Sequence, residues 1–248
     1  MVESNRTGAV TMLHHGARPP IYEHLAGDDE TIARVIDHVE RNLASPTSVL
    51  LEIASDGVRV DVLHVAPGVG RPFRTFVTVG MSSKPMHVPP DQEAIRYAEL
   101  VLLLPSHWPL PDSIGPEDPR GWPFRELVFL ARMPHVHETY LSAGHVVTNG
   151  DPPVSYERDS RFCGAILVEP TRLPTAFQCA DGPGDECTWF HAIVPLHASE
   201  LALARHAGPH EVLRRLEQHG YDEVLNPKRL GVADGDRVNG RTGRPRGR

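Results

Sequence analysis

Four pieces of one stretch decide the fold: Thr75–Ser82, TFVTVGMS; Tyr97–Pro105, YAELVLLLP; Gly121–His135, GWPFRELVFLARMPH; and Thr139–His145, TYLSAGH. The first two are strand-like. The second is apolar at nearly every position, which predicts a central strand covered on both faces. The third is a helix opened by Trp122-Pro123, because proline is tolerated in a first turn. Phe124, Leu127, Val128 and Ala131 form its apolar face, and Pro134 is expected to end it. The fourth is a short polar turn closing on Gly144-His145.

Working outward, Ile32, Val35, Ile36, Val39 and Leu43 recur at helical spacing, so a helix is predicted from Asp28 or Asp29 to Ala44. SVLLEIA and VRVDVLHV flank Ser55-Asp56-Gly57, which predicts a β-hairpin. Val58, Val60, Val62 and His64 would share one face, with Arg59 and Asp61 on the other. RFCGAILVEP and TWFHAIVPL read as two further core strands joined by the turn-rich ADGPGDE. SELALARHAG and GPHEVLRRLEQHG read as short helices, with Ser199 capping the first and Gly220 stopping the second. Helices and strands do not alternate regularly. The fold class is therefore α+β: a mixed, largely antiparallel β-sheet flanked by helices on both faces.

The chain has 248 residues and a formal charge of −7, which argues against nucleic-acid binding by its body. Residues 229–248 concentrate arginine, so nucleic acid is admitted as a partner only through that segment. Three parts are expected: a flexible leader over 1–18, one domain over 19–228 and a disordered basic tail over 229–248. No signal peptide or membrane span is expected. The cysteines, Cys163, Cys179 and Cys187, are odd in number and lack CxxC spacing. They fit neither a disulfide framework nor a zinc knuckle, so a reducing cytoplasm is expected.

Catalytic signals are weak. No serine sits in a GxSxG elbow, and Cys163 lies in an apolar strand. Ala66–Arg71 is glycine-rich but lacks the Lys-Ser/Thr of a phosphate loop. With 15 histidines, a metal site must still be weighed. His135-Val136-His137, read as a strand, would point both rings the same way, with His145 following. No HExxH and no carboxylate at ligand spacing accompanies them. His135, His137 and His145 stand as the candidate binding residues; no catalytic residue, metal ligand or cofactor is assigned.

The order of these pieces resembles the Suppressor of fused (SUFU) domain family, in particular its stand-alone bacterial members. The matching pieces are Thr78–Ser82, Glu99–Pro105, Trp122-Pro123 with Leu130–Arg132, and Thr139–His145. Gly164–Val168, Ile193–Leu196, Ser199–Leu201 and the helix with Leu213–Leu216 follow in order, so that together they span most of residues 20–228. The resemblance implies a non-enzymatic protein-binding domain. Animal members carry a second domain, with a peptide clamped between the two. Their peptide-contacting tyrosine and acid fall at Met133 and Gly144 here, so that site is not carried over. Bacterial members look like immunity proteins of polymorphic toxin systems, or regulators of unknown target. The immunity reading makes this chain a cytoplasmic binder of a toxin domain. The alternatives are a regulatory adaptor binding an extended peptide at a sheet edge, with Val146-Val147 as one candidate edge, and a metal-dependent enzyme using the histidines.

Overall fold

The computed structural model describes residues 10–14, 28–52, 58–110, 113–114 and 118–233. Among these, ten strands and four α-helices run in the order β1 (Val10–His14), α1 (Asp29–Asn42), β2 (Ser48–Glu52), β3 (Asp61–Val65), β4 (Phe73–Val79), β5 (Tyr97–Pro105), β6 (Ser113–Ile114), α2 (Trp122–Val136), β7 (Val146–Thr148), β8 (Phe162–Val168), β9 (Cys179–Asp181), β10 (Cys187–His197), α3 (Ala198–Ala207) and α4 (Pro209–Gln218). The strands form one sheet in the order β6-β1-β2-β3-β4-β5-β10-β8-β7, with β9 on β10. β5 and β10 pair in parallel, and the remaining pairs are antiparallel. The sheet is thus mixed and largely antiparallel, as read from sequence.

β5 shows why its sequence is apolar throughout. Leu100, Leu102 and Leu104 pack with Trp122, Phe124, Leu127 and Leu130 of α2. Val101 and Leu103 point to the other face, against Ile32, Val35, Ile36 and Val39 of α1. The period-2 alternation of a strand sends successive side chains to opposite layers, so both must be apolar when both faces are covered. α3 and α4 cover the far end of the α1 side, where Leu201, Val212 and Leu216 meet Cys163, Ile166 and Val194.

Several boundaries differ from expectation. Val10–His14, assigned above to a loose leader, is a strand paired with β2 and β6. The β2–β3 hairpin pairs as expected, but its Asp-Gly turn lies outside the described residues. Asp61, placed with Arg59 on the face opposite the valines, is buried there and pairs with Arg59 at 3.1 Å. Pro134 does not end α2. It sits in the last turn, and the amides of His137 and Thr139 close the helix on Met133 and Pro134 carbonyls.

The largest difference is at the C-terminal boundary. Arg229, placed above in a disordered tail, is buried. Its Nη1 donates to Glu200 Oε1 at 2.5 Å and its Nη2 to Glu200 Oε2 at 2.6 Å and Pro195 O at 2.7 Å. Val232, also buried, donates its amide to Glu200 Oε1. The packed body therefore continues through Ala233; residues 234–248 lie outside the described residues.

Candidate interaction site

The stretch that resembles a family is held in shape by one buried carboxylate. Glu99 Oε1 accepts from the amides of Gly80 and Ser82 and from Ser82 Oγ, while Oε2 accepts from Thr78 Oγ1 at 2.6 Å. It therefore ties the end of β4 and the following 3-10 turn to β5. Gly80 has φ +114°, and a Cβ there would lie 2.3 Å from the Arg59 carbonyl oxygen, so the turn requires glycine. Four neutral donors favour the carboxylate, but complete burial outweighs them and pushes Glu99 up to about 7.

This turn presents the Met81 carbonyl to His135 Nε2 at 2.9 Å. His135 is thus fixed against a backbone oxygen, and burial lowers its basicity. His137, the residue capping the helix C-terminus, is exposed. His145 packs edge-on against Tyr140 at 4.9 Å. The HxH pair is helical, so its rings diverge by roughly 200° around the axis instead of sharing a strand face. Among the described residues no three His, Cys, Asp or Glu side chains are placed to hold a metal ion.

What the Thr139–Thr148 segment does form is an open sheet edge. Val146, Val147 and Thr148 pair with Ile166, Ala165 and Gly164 of β8. The His145 carbonyl accepts from Leu167 N and the Cys163 carbonyl from Asn149 N. Antiparallel alternation then turns the N–H and C=O of Val147 inward and those of Val146 and Thr148 outward. Among the described residues no strand pairs with that outer side. β7 approaches β8 closely because position 164 is glycine: a Cβ there would lie 2.6 Å from Val147 O and 2.8 Å from Leu201 Cδ2. Met133 packs against the α2 core and Gly144 holds φ +88°, so neither offers a polar side chain.

The loop after β7 braces the edge. Tyr156 stacks on Trp122 at 5.0 Å and donates its hydroxyl to Glu126 Oε1 at 2.9 Å, while Arg125 pairs with Glu157 at 3.1 Å. His191, buried on β10, has neither ring nitrogen partnered among the described residues. Burial, together with His145 nearby, holds it down at about 4.

Two features escaped sequence reasoning. The Glu200–Arg229 pair joins positions 29 residues apart with no local pattern to mark it. The only local trace is Glu200 three residues after His197: its Oε2 accepts the His197 amide, making a capping box in which His197, not Ser199, is the cap. The other is a disulfide between Cys179 and Cys187 on the paired strands β9 and β10, which corrects the expectation of none. Its presence removes the cysteine argument for a reducing compartment. Cys163 is the buried free thiol.

Fold and edge together define an α+β domain built on one mixed sheet with an open strand at its edge. The family model described as Suppressor of fused protein (SUFU) matches residues 56–230, and the chain belongs to that family. The fold is similar to that of a SUFU homolog from Neisseria gonorrhoeae FA 1090, with a TM-score of 0.59 and 13% identity over 82% of this chain and 97% of that one. It is also similar to a chain of the Sufu–Fu complex, with a TM-score of 0.56 and 19% identity over 82% and 92% of the two chains. No curated protein sequence matches the chain. No described helix is long and apolar enough to cross a membrane.

Proposed function

We propose that this chain is a non-enzymatic protein-binding domain that takes an extended segment of its partner along β7. The observation that carries the reading is the pair of outward-facing N–H and C=O groups at Val146 and Thr148. Such an edge binds a partner strand through main-chain hydrogen bonds, and the flanking side chains select its sequence. The Sufu–Fu complex, in which a relative of the same fold is seen with a protein, supports the class of function.

For the partner we favour a toxin domain, which makes the protein a cytoplasmic immunity protein of a polymorphic toxin system. The charge of −7, despite an arginine-rich terminus, supports a basic partner, because opposite potentials speed encounter and select the partner. A regulatory adaptor would use the same edge with a different partner. Affinity capture from the native host followed by mass spectrometry decides between them. Recovery of a toxin module at near one-to-one, with an association rate that falls as salt rises, supports immunity. Recovery of a transcriptional or signalling protein in its place favours the adaptor.

A further inference from the structure

The disulfide between Cys179 and Cys187 joins β9 to β10 across their ladder. The two Cα atoms are 5.8 Å apart, inside the usual range for a bridge, so the bond can open and close without moving the backbone. Both cysteines are half-buried, whereas Cys163 is 3% exposed and burial raises its thiol. Cys187 also lines an open polar cavity, with room for water over about 210 Å³, between the hairpin and the start of α1. Thiol–disulfide exchange requires such access from solvent, and Cys163 lacks it.

The hairpin does not need the bond to stay folded. Cys187 pairs with Asp181, Thr188 with Ala180 and Trp189 with Cys179. The Gly182 amide donates to Glu186 O at 2.8 Å, and the Phe190 amide to Gln178 O at 3.0 Å. Ala180, 1% exposed, packs with Phe177, Phe190 and the apolar face of α1. The bridge spans a sequence separation of 8, so the entropy it removes from the unfolded chain is that of a short loop. Among the described residues no strand pairs with the outer side of β9. The bond therefore clips an edge strand that other contacts already position.

We propose that Cys179–Cys187 is a reversible redox site, opened in the folded protein by a dithiol reductant. A thiolate of the dithiol attacks one cystine sulfur, the S–S bond breaks, and the other cysteine leaves as a thiolate and takes up a proton. The second thiol of the reductant then attacks the mixed disulfide and releases the first cysteine. The dithiol departs as a disulfide, having given the protein its electron pair and both protons. In a reducing cytoplasm a protein disulfide is usually transient and redox-sensing rather than a permanent staple. The regulatory reading rests on the cytoplasmic location proposed above; the exchange chemistry rests on the hairpin alone. Opening the bond loosens β9 beside the cavity and leaves the β7 edge as it is.

The full chain, oxidised and without denaturant, is treated with dithiothreitol, alkylated with iodoacetamide and mapped by peptide mass spectrometry. Cys179 and Cys187 should be alkylated together while Cys163 stays protected. The reduced protein should keep its circular dichroism, melt roughly 5–10 °C lower and exchange amides faster over Cys179–Asp181. Oxidised dithiothreitol should restore the bond. C179S/C187S should match the reduced protein and ignore the reductant, and C163S should respond as wild type does. Alkylation of Cys179 and Cys187 only in urea, loss of the native signal on reduction, or failure of C179S/C187S to fold makes the bond a fixed staple and overturns the proposal. Thiol trapping in host cells tests the regulatory part separately. A pair found reduced that oxidises on peroxide treatment supports it. A pair held fully oxidised overturns the cytoplasmic location and the regulatory role, while exchange in the purified protein still stands.

Discussion

Replacing Arg229 with methionine keeps an unbranched stem of similar reach and removes the guanidinium. In the native structure that group makes paired bonds to Glu200 at 2.5 and 2.6 Å, with side-chain exposures of 5% and 0%. It also donates to Pro195 O and lies over the Phe162 and Tyr221 rings at 5.1 and 5.6 Å. The substitution strands a buried carboxylate that retains only the His197 and Val232 amides and the His197 ring nearby. Breaking a buried pair from one side costs about 3–5 kcal/mol. At about 2–4 °C per kcal/mol for a chain of this size, that is a fall of roughly 10 °C in melting temperature. The carboxylate supplies an independent check. Arg229 and the His197 donors hold Glu200 down at about 2 against burial, compared with an ordinary 4.5. Because the folded value lies below the unfolded one, this stabilisation is complete above about pH 4.5 and is lost as pH falls through about 2. The difference is worth about 3 kcal/mol. Urea unfolding of wild type and R229M should therefore differ by a constant amount from pH 5 to 8 and converge on acidification. A loss below about 1 kcal/mol, or a gap unchanged at pH 2.5, would refute the claim that this pair holds residues 229–233 onto the body. The double variant E200Q/R229M should cost less than the two single changes added, since each single change leaves one buried partner unpaired.

Two further pH-dependent effects follow from buried groups. Glu99, pushed up to about 7, contributes stability that is full below about pH 4.5 and lost as pH rises through about 7. E99Q removes that titration, so the stability of wild type relative to E99Q should fall by about 2–3 kcal/mol between pH 5 and 8; parallel profiles would contradict it. His191 behaves oppositely: its value of about 4 means its stabilisation is present above about pH 6.5 and lost as pH falls through about 4. H191L removes two unpartnered buried nitrogens, so it should gain about 1 kcal/mol at pH 7 and more at pH 5 by thermal unfolding.

The elements legible in the sequence were those whose residues carry their own periodicity. α1 announces itself through Ile32, Val35, Ile36 and Val39, and Asp28 caps it by accepting the Thr31 amide. β5 announces itself by being apolar on both faces. The order of short pieces was enough to resemble the family to which the chain belongs. What escaped was set by partners distant in sequence or by context. Pro134 is tolerated in α2 because later amides close the last turn, and this put His135-Val136-His137 on a helix rather than a strand. Asp61 is buried because Arg59 reaches it. The Cys179–Cys187 pairing depends on a short strand, β9, that its turn-rich sequence did not reveal. Arg229 reads as part of a basic run until Glu200 is seen beneath it.

The open β7 edge is the centre of the functional reading, and Thr148→Pro probes it with little disturbance to the fold. The Thr148 amide points away from β8, so proline removes an outward donor and leaves the internal ladder intact. The decisive measurement is the affinity of the captured partner for wild type and T148P at fixed salt, with melting temperatures recorded alongside. Edge pairing predicts a loss of about tenfold or more in affinity with the melting temperature little changed. Equal affinity of the two proteins would place the partner elsewhere on the domain and contradict the account.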